Sequence, residues 1–132
     1  MRWNYNDGGR KEAGYKGTTG DCVVRAIAIG AELAYKEVYK ELKRRMGKGN
    51  SPRNGVPKKL IREYLSDLGW SWVPIMKIGS GCTMHLKREE LPKGTIICST
   101  SRHIVAAIDG VVQDTYDCTR EGTRCVYGYW KK

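Results

Sequence analysis

Phenylalanine and long apolar runs are both missing from this chain. A helix that crosses a bilayer needs about 20 predominantly apolar residues, and no stretch of the sequence approaches that length. The first seven residues are polar, whereas a secretion signal has an apolar centre. We therefore expect a cytoplasmic protein without a membrane partner. Its 132 residues fit one domain, 1–132.

A paired cysteine framework is also missing. The five cysteines are an odd number at irregular spacings, which speaks against a set of disulfides and favours free thiols. Cys82 and His85 lie three residues apart, a spacing found in zinc sites, but no second close pair completes a tetrahedral set. The sequence therefore predicts no disulfide, no metal and no cofactor.

Acidic residues are scarce, and the net charge is +10. Most of the excess positive charge lies in residues 36–62, which contain ten lysines and arginines and only two glutamates. Such a segment is typical of a solvated helix face followed by a basic loop, and it is also compatible with binding of nucleic acid or an acidic protein. The candidate binding residues are Lys43, Arg44, Arg45, Lys58 and Lys59.

The first half of the chain predicts an irregular arm followed by three helices. Residues 1–20 are rich in Gly, Thr, Asn and Asp and form the arm. Asp21 is the expected N-cap of a buried helix from Cys22 to about Ile29. The spacing of apolar residues predicts an amphipathic helix over Tyr35 to Met46, and Pro57 starts a third helix that runs to about Leu68.

The second half predicts strands. The dipeptide Asp109-Gly110 is a strong signal for a two-residue hairpin turn. The predicted strands are 70–76, Thr95–Cys98, His103–Ile108, Val111–Tyr116 and Cys125–Trp130. Helices followed by an antiparallel sheet indicate an α+β fold.

The hairpin register selects a carboxylate for His103. With a two-residue turn, opposed positions sum to 219, so that Val105 faces Asp114, and Asp114 lies diagonal to His103 on the same face. Asp117 would point to the other face unless a bulge shifts the register, and it remains the alternative acid.

Cys22, His103 and Asp114 have the residue types of a thiol catalytic triad. A helix N-terminus and a neighbouring imidazolium both favour the thiolate form of a cysteine. A carboxylate on the far ring nitrogen would orient the histidine. His85 is the other candidate base, but it lies in no predicted hairpin with a carboxylate.

Four segments resemble small phage-encoded proteins that look like bacteriocin-processing-type cysteine peptidases. They are Gly20–Ala28, Ser101–Gly110, Asp114–Asp117 and Gly122–Trp130. The resemblance implies a papain-like fold with Cys22 as nucleophile, His103 as base and Asp114 as acid. Such enzymes usually carry a glutamine about six residues before the nucleophile as oxyanion donor. Lys16 stands there instead, so Lys16, Thr18 and Thr19 are the candidate oxyanion donors.

Two classes of function follow. The first is a papain-like thiol hydrolase that cleaves a peptide or amide bond in a protein substrate, in the host cytoplasm if the chain is phage-encoded; deamidation or acyl transfer would use the same three residues. The second is a non-catalytic module that binds a host protein or nucleic acid through residues 36–62.

Overall fold

The computed structural model describes residues 2–15, 20–77 and 79–132. In these ranges the chain forms three helices and one six-stranded mixed sheet, in an α+β arrangement. The helices are α1 (Cys22–Gly30), α2 (Tyr35–Met46) and α3 (Lys58–Asp67). The strands are β1 (Trp3–Tyr5), β2 (Ser71–Pro74), β3 (Thr95–Thr100), β4 (His103–Ile108), β5 (Val111–Asp114) and β6 (Gly128–Lys131).

The three predicted helices are confirmed to within two residues at their ends. Helix α1 is buried on almost every side because it packs between α2 and the central strands. It ends at Gly30, where a Cβ atom would lie only 2.8 Å from the side chain of Ile97. Helix α2 buries one stripe at three- and four-residue spacing and exposes its basic face, as an amphipathic helix should.

The predicted hairpin register is confirmed as well. Strands β4 and β5 pair so that Ala106 faces Gln113 and Ile108 faces Val111. Both turn residues, Asp109 and Gly110, have positive φ angles, which a type I′ turn requires. The strand order across the sheet is β1-β5-β4-β3-β6-β2, so that the hairpin occupies the interior of the sheet next to β3.

The N-terminal arm differs from the expectation. Trp3–Tyr5 forms β1 and pairs with β5 in parallel, so the sheet is mixed and not purely antiparallel. A strand of three residues in a polar segment is too short to show the alternation of apolar and polar residues by which strands are predicted. Its partner β5 is also more than 100 residues away in the sequence, so the pairing could not be predicted from local pattern. Strand β5 is also shorter than predicted, ending at Asp114, and β6 begins only at Gly128.

Alternate residues of the central strands pack on opposite sides of the sheet. Ile97 and Ile104 face the helices, in a cluster that also contains Leu42, Leu65 and Trp130. On the other side a second cluster is covered by loop residues. Its members are Leu86, Leu91, Ile96, Cys98, Val105, Ala107, Val112, Cys118 and Val126. Strands β3 and β4 are therefore covered on both faces, and the ends of β4 and β5 are held firmly in place.

The expectation of free thiols is wrong for one pair. Cys82 and Cys125 form a disulfide, with their Cα atoms 5.8 Å apart. The residues are 43 positions apart in sequence, and they meet because residues 84–86 run antiparallel to residues 124–126. Sequence spacing carries no sign of that contact. The other cysteines, Cys22, Cys98 and Cys118, are free.

Candidate active site

Cys22 is the first residue of α1 and is only partly buried. The first turn of a helix carries N–H groups that have no acceptor within the helix, and these groups favour negative charge nearby. Helix α1 lies against β4, the strand that begins with His103. The fold therefore places the thiol of Cys22 beside the start of a central strand.

His103 follows a tight turn at Ser101 and Arg102, in which Arg102 has a φ of +55°. Its ring is buried, and Nε2 lies 2.7 Å from Oδ2 of Asp114. This is the diagonal contact expected from the hairpin register. Nε2 is thereby engaged with Asp114, which leaves Nδ1 as the ring nitrogen for other partners.

The surroundings of Cys22 favour its thiolate. Burial raises the pKa of the thiol, but a hydrogen bond to His103, the backbone N–H of Ile104 and the positive charges of His103 and Arg25 together bring it below its ordinary value. A thiol with a lowered pKa and access to solvent is a reactive nucleophile.

His103 is held in its charged form. Burial alone would lower the pKa of the imidazole, yet hydrogen bonds to Asp114, Cys118 and Cys22 outweigh it and raise the pKa to about 11. Burial likewise opposes ionisation of Asp114, but the bond from His103, the N–H of Thr115 and the nearby guanidinium of Arg25 hold the pKa of that carboxyl below its usual range. When Cys22 ionises, its thiolate, the imidazolium of His103 and the carboxylate of Asp114 form an alternating series of charges.

Arg25 is a site residue that the sequence analysis missed. It lies on α1 and is buried, with Nη1 2.5 Å from Oδ1 of Asp114 and Nε 3.1 Å from Oδ1 of Asp21. Nη1 also donates to the hydroxyl of Thr115 over 3.0 Å. The signal available in the sequence was a single arginine inside an apolar helix, four residues after an aspartate.

Asp21 has a different role from the one expected. It occupies the N-cap position of α1, but within the described residues its carboxylate makes no capping hydrogen bond. It binds Arg25, Arg10 at 3.0 Å and the hydroxyl of Tyr35 at 2.6 Å. Asp21 thus anchors Arg25, and Arg25 in turn orients Asp114.

Cys118 is a second residue that the sequence did not single out. Its sulfur, a ring nitrogen of His103 and a carboxylate oxygen of Asp114 all lie within 4.8 Å of one another, and all three residues are buried. Burial raises the pKa of Cys118, so it faces the pair as a neutral thiol. These three residues could also bind a metal ion in principle, although the hydrogen bond between His103 and Asp114 already uses two of the donor atoms.

The alternative acid and the alternative base make other contacts. Asp117, the alternative acid, forms an ion pair with Arg2 at 2.8 Å and accepts hydrogen bonds from the backbone and side chain of Thr119. His85 contacts Cys82 and Glu90. The candidate oxyanion donors, Lys16, Thr18 and Thr19, lie outside the described residues.

A cleft of about 550 Å³ opens beside His103. It is lined by Ser101, Arg102, His103, Tyr116, Asp117, Cys118, Arg120 and Arg124. The ring of Tyr116 lies 5.6 Å from that of His103 and is half-exposed. A group bound in this cleft would contact the imidazole from the solvent side.

The basic residues of α2 are partly neutralised. Glu41 pairs with Arg44 at 2.7 Å and with Arg45 at 3.0 Å, and Arg45 also reaches Asp67 at 2.8 Å. Lys43 is exposed, as are Lys58 and Lys59 in the first turn of α3. The predicted solvated basic face is present. Because Arg44 and Arg45 are paired with acidic residues, fewer of its positive charges are free of a partner than the sequence suggests.

Comparisons of the chain with models of known protein families, with curated proteins and with solved structures each return no match. The site is therefore interpreted from its own geometry.

Proposed function

We propose that this chain is a papain-like thiol hydrolase that acts on a peptide or amide bond of a protein substrate. The single observation that supports this most strongly is the Cys22–His103–Asp114 arrangement. A thiol with a lowered pKa lies at a helix N-terminus, beside an imidazole whose far nitrogen is hydrogen-bonded to a buried carboxylate. This is the requirement for an activated nucleophile with an oriented base.

The reaction follows from these positions. The thiolate of Cys22 attacks the carbonyl carbon, forming a carbon–sulfur bond while the carbonyl electron pair moves onto oxygen. The imidazolium of His103 gives its proton to the leaving amine as the amide bond breaks. His103, now neutral, accepts a proton from water as the water attacks the thioester. The carbon–sulfur bond breaks, the carboxylic acid leaves, and the thiolate of Cys22 and the imidazolium of His103 are restored. Asp114 holds the ring throughout.

Arg25 is a positioning residue in this proposal. A buried carboxylate held by a guanidinium on one oxygen and by an imidazole on the other cannot rotate away from His103. The first-turn N–H groups of α1 are the natural donors to the developing oxyanion, because they have no acceptor within the helix. Deamidation of a glutamine side chain, or transfer to an amine, would use the same three residues.

The test is the alkylation rate of Cys22 by iodoacetamide as a function of pH, with the modified site located by mass spectrometry. In wild type we expect the rate to level off below pH 9, the ordinary pKa of a thiol. In His103→Ala the profile should move to higher pH, with a lower rate at pH 6, since the hydrogen bond and the positive charge of His103 both favour the thiolate.

Cys118→Ser is the matched control for this experiment, because it removes the neighbouring neutral thiol and keeps the imidazole. Its profile for Cys22 should stay close to that of wild type. A Cys22 rate that is negligible below about pH 8 and indifferent to His103 would reject the enzyme hypothesis. If Cys22 proves to be activated, labelling with peptidyl ketones of varied sequence would identify the peptide sequences that the site accepts.

A further inference from the structure

A second cysteine–histidine–carboxylate cluster lies outside the proposed active site. Two short backbone segments build it: the N–H of Leu86 donates to the carbonyl of Arg124, and the N–H of Val126 donates to the carbonyl of Met84, both over 2.8 Å. This places His85 directly opposite Cys125. Ligand atoms of Cys82, His85 and Cys125 all lie within 4.8 Å of one another, and each residue is partly accessible.

The imidazole of His85 is oriented on both sides. Nε2 lies 3.4 Å from the sulfur of Cys82, and Nδ1 lies 3.1 Å from Oε1 of Glu90. The same carboxylate oxygen accepts the backbone N–H of His85 at 3.3 Å. A disulfide has no need of an oriented imidazole, whereas a histidine that binds a metal usually donates its other ring N–H to a carboxylate.

The two sulfurs have room to separate. Zinc binds thiolates at about 2.3 Å in tetrahedral geometry, which puts two sulfur ligands about 3.8 Å apart, farther than a disulfide allows. Cys125 is held by the paired segments, but Cys82 follows Gly79 and Gly81, both with positive φ angles and with nothing within 4 Å of the position of a Cβ. The chain before Cys82 therefore has open space beside it at both glycines.

We propose that reduction of the Cys82–Cys125 disulfide creates a three-ligand site for Zn²⁺ or a similar borderline-soft divalent ion. A thiol or phosphine reductant supplies two electrons and becomes a disulfide or a phosphine oxide. The sulfur–sulfur bond breaks, and protons from the thiol reductant or from water complete the two thiols. On binding, each thiol releases its proton to solvent, and the metal accepts electron pairs from both sulfurs and from Nε2 of His85. Glu90 keeps the proton on Nδ1, and the fourth position is left for water. The proposal is independent of the chemistry of Cys22.

The test uses Co²⁺ as a spectroscopic probe on the full chain. Protein reduced by a phosphine under nitrogen and freed of reductant is titrated with CoCl₂, and then with ZnCl₂. We expect one Co²⁺ per chain, a sulfur-to-cobalt charge-transfer band, and displacement by Zn²⁺. The oxidised chain should not show the band. Binding by the oxidised chain, or no band after reduction, overturns the proposal.

Four variants assign the ligands. Cys125→Ser should abolish the band, and His85→Ala, which keeps both cysteines, should weaken binding clearly. Glu90→Gln should weaken it by about 10- to 100-fold, the usual effect of losing a carboxylate behind a histidine ligand. The double change Cys22→Ser with Cys118→Ser removes the thiols of the proposed active site and should leave one Co²⁺ per chain. Loss of the band in that double variant would place the metal there and overturn the proposal.

Discussion

In the part of the chain that the structure describes, two cysteine–histidine–carboxylate groups differ in their neighbours. In Cys22–His103–Asp114 the histidine and aspartate are buried at the ends of paired strands, and Asp114 also binds Arg25. In Cys82–His85–Glu90 the residues lie on loops and are partly accessible. The first group pairs one thiol with a helix N-terminus, whereas the second pairs its thiol with another cysteine.

The comparison shows that residue type alone does not define the chemistry. A single thiol that faces a charged imidazole is a better nucleophile, because the positive charge favours the thiolate form. Two thiols beside one imidazole can form a disulfide with each other or bind a soft metal ion. The partner of each thiol decides the chemistry, and that partner is distant in sequence in both groups: His103 for Cys22, and Cys125 for Cys82.

Loss of the central carboxylate should have the largest effect. Asp114→Asn leaves the ring of His103 buried without its counter-charge and the guanidinium of Arg25 with Asp21 as its remaining partner, which we expect to cost about 3–5 kcal/mol in the free energy of unfolding. It should also slow alkylation of Cys22 near neutral pH. Urea denaturation of the oxidised protein measures the first effect.

Asp117→Asn is the matched control for this change. Asp117 pairs with Arg2 near the surface and accepts the bonds of Thr119, so its loss should cost only about 1 kcal/mol. Equal destabilisation of the two variants would show that Asp114 is not the acid on which the buried network depends.

The charge of His103 should make stability depend on pH. The folded-state pKa is raised to about 11 from an ordinary 6.5, so the imidazolium stabilises the fold fully below pH 6.5 and loses this contribution as the pH rises toward 11. The comparison is made in a Cys22→Ser background, which removes the thiolate. There we expect His103→Gln to lower the free energy of unfolding more at pH 6 than at pH 9, with a difference of at least about 1.4 kcal/mol. Urea midpoints at the two pH values measure this. The same loss at both would mean that the ring is neutral in the folded protein.

Several parts of this molecule could be predicted from the sequence because they depend on local pattern. The helices follow from apolar spacing, and the hairpin register follows from Asp109-Gly110, which is why Asp114 could be preferred over Asp117. The contacts between distant segments could not be predicted. The pairing of β1 with β5, the disulfide and the approach of Cys118 to His103 each depend on how separate elements pack. The role of Arg25 was missed because a buried charge is recognised only by its partners.

At the second group, the carboxylate should matter little to stability. Glu90 contacts His85 from an accessible position, so in the oxidised protein we expect Glu90→Gln to leave the urea midpoint unchanged. Ion pairs near the surface contribute little because water screens them. If Glu90→Gln lowered the urea midpoint as much as Asp114→Asn does, both carboxylates would contribute equally to the stability of the fold. That result would contradict the difference proposed between the two groups.

Charge reversal on α2 should have the smallest effect on the thiol chemistry. Lys43→Glu, Arg44→Glu and Arg45→Glu change a helix face whose arginines already pair with Glu41, and that face is on a different helix from Cys22. If the chain is a thiol enzyme, the pH profile of Cys22 alkylation stays that of wild type, while Cys22→Ser removes activity on any substrate found. If its task is binding through residues 36–62, the pattern inverts: the triple variant loses binding to an oligonucleotide or acidic protein, and Cys22→Ser keeps it. The two variants compared side by side therefore separate a catalytic from a binding role.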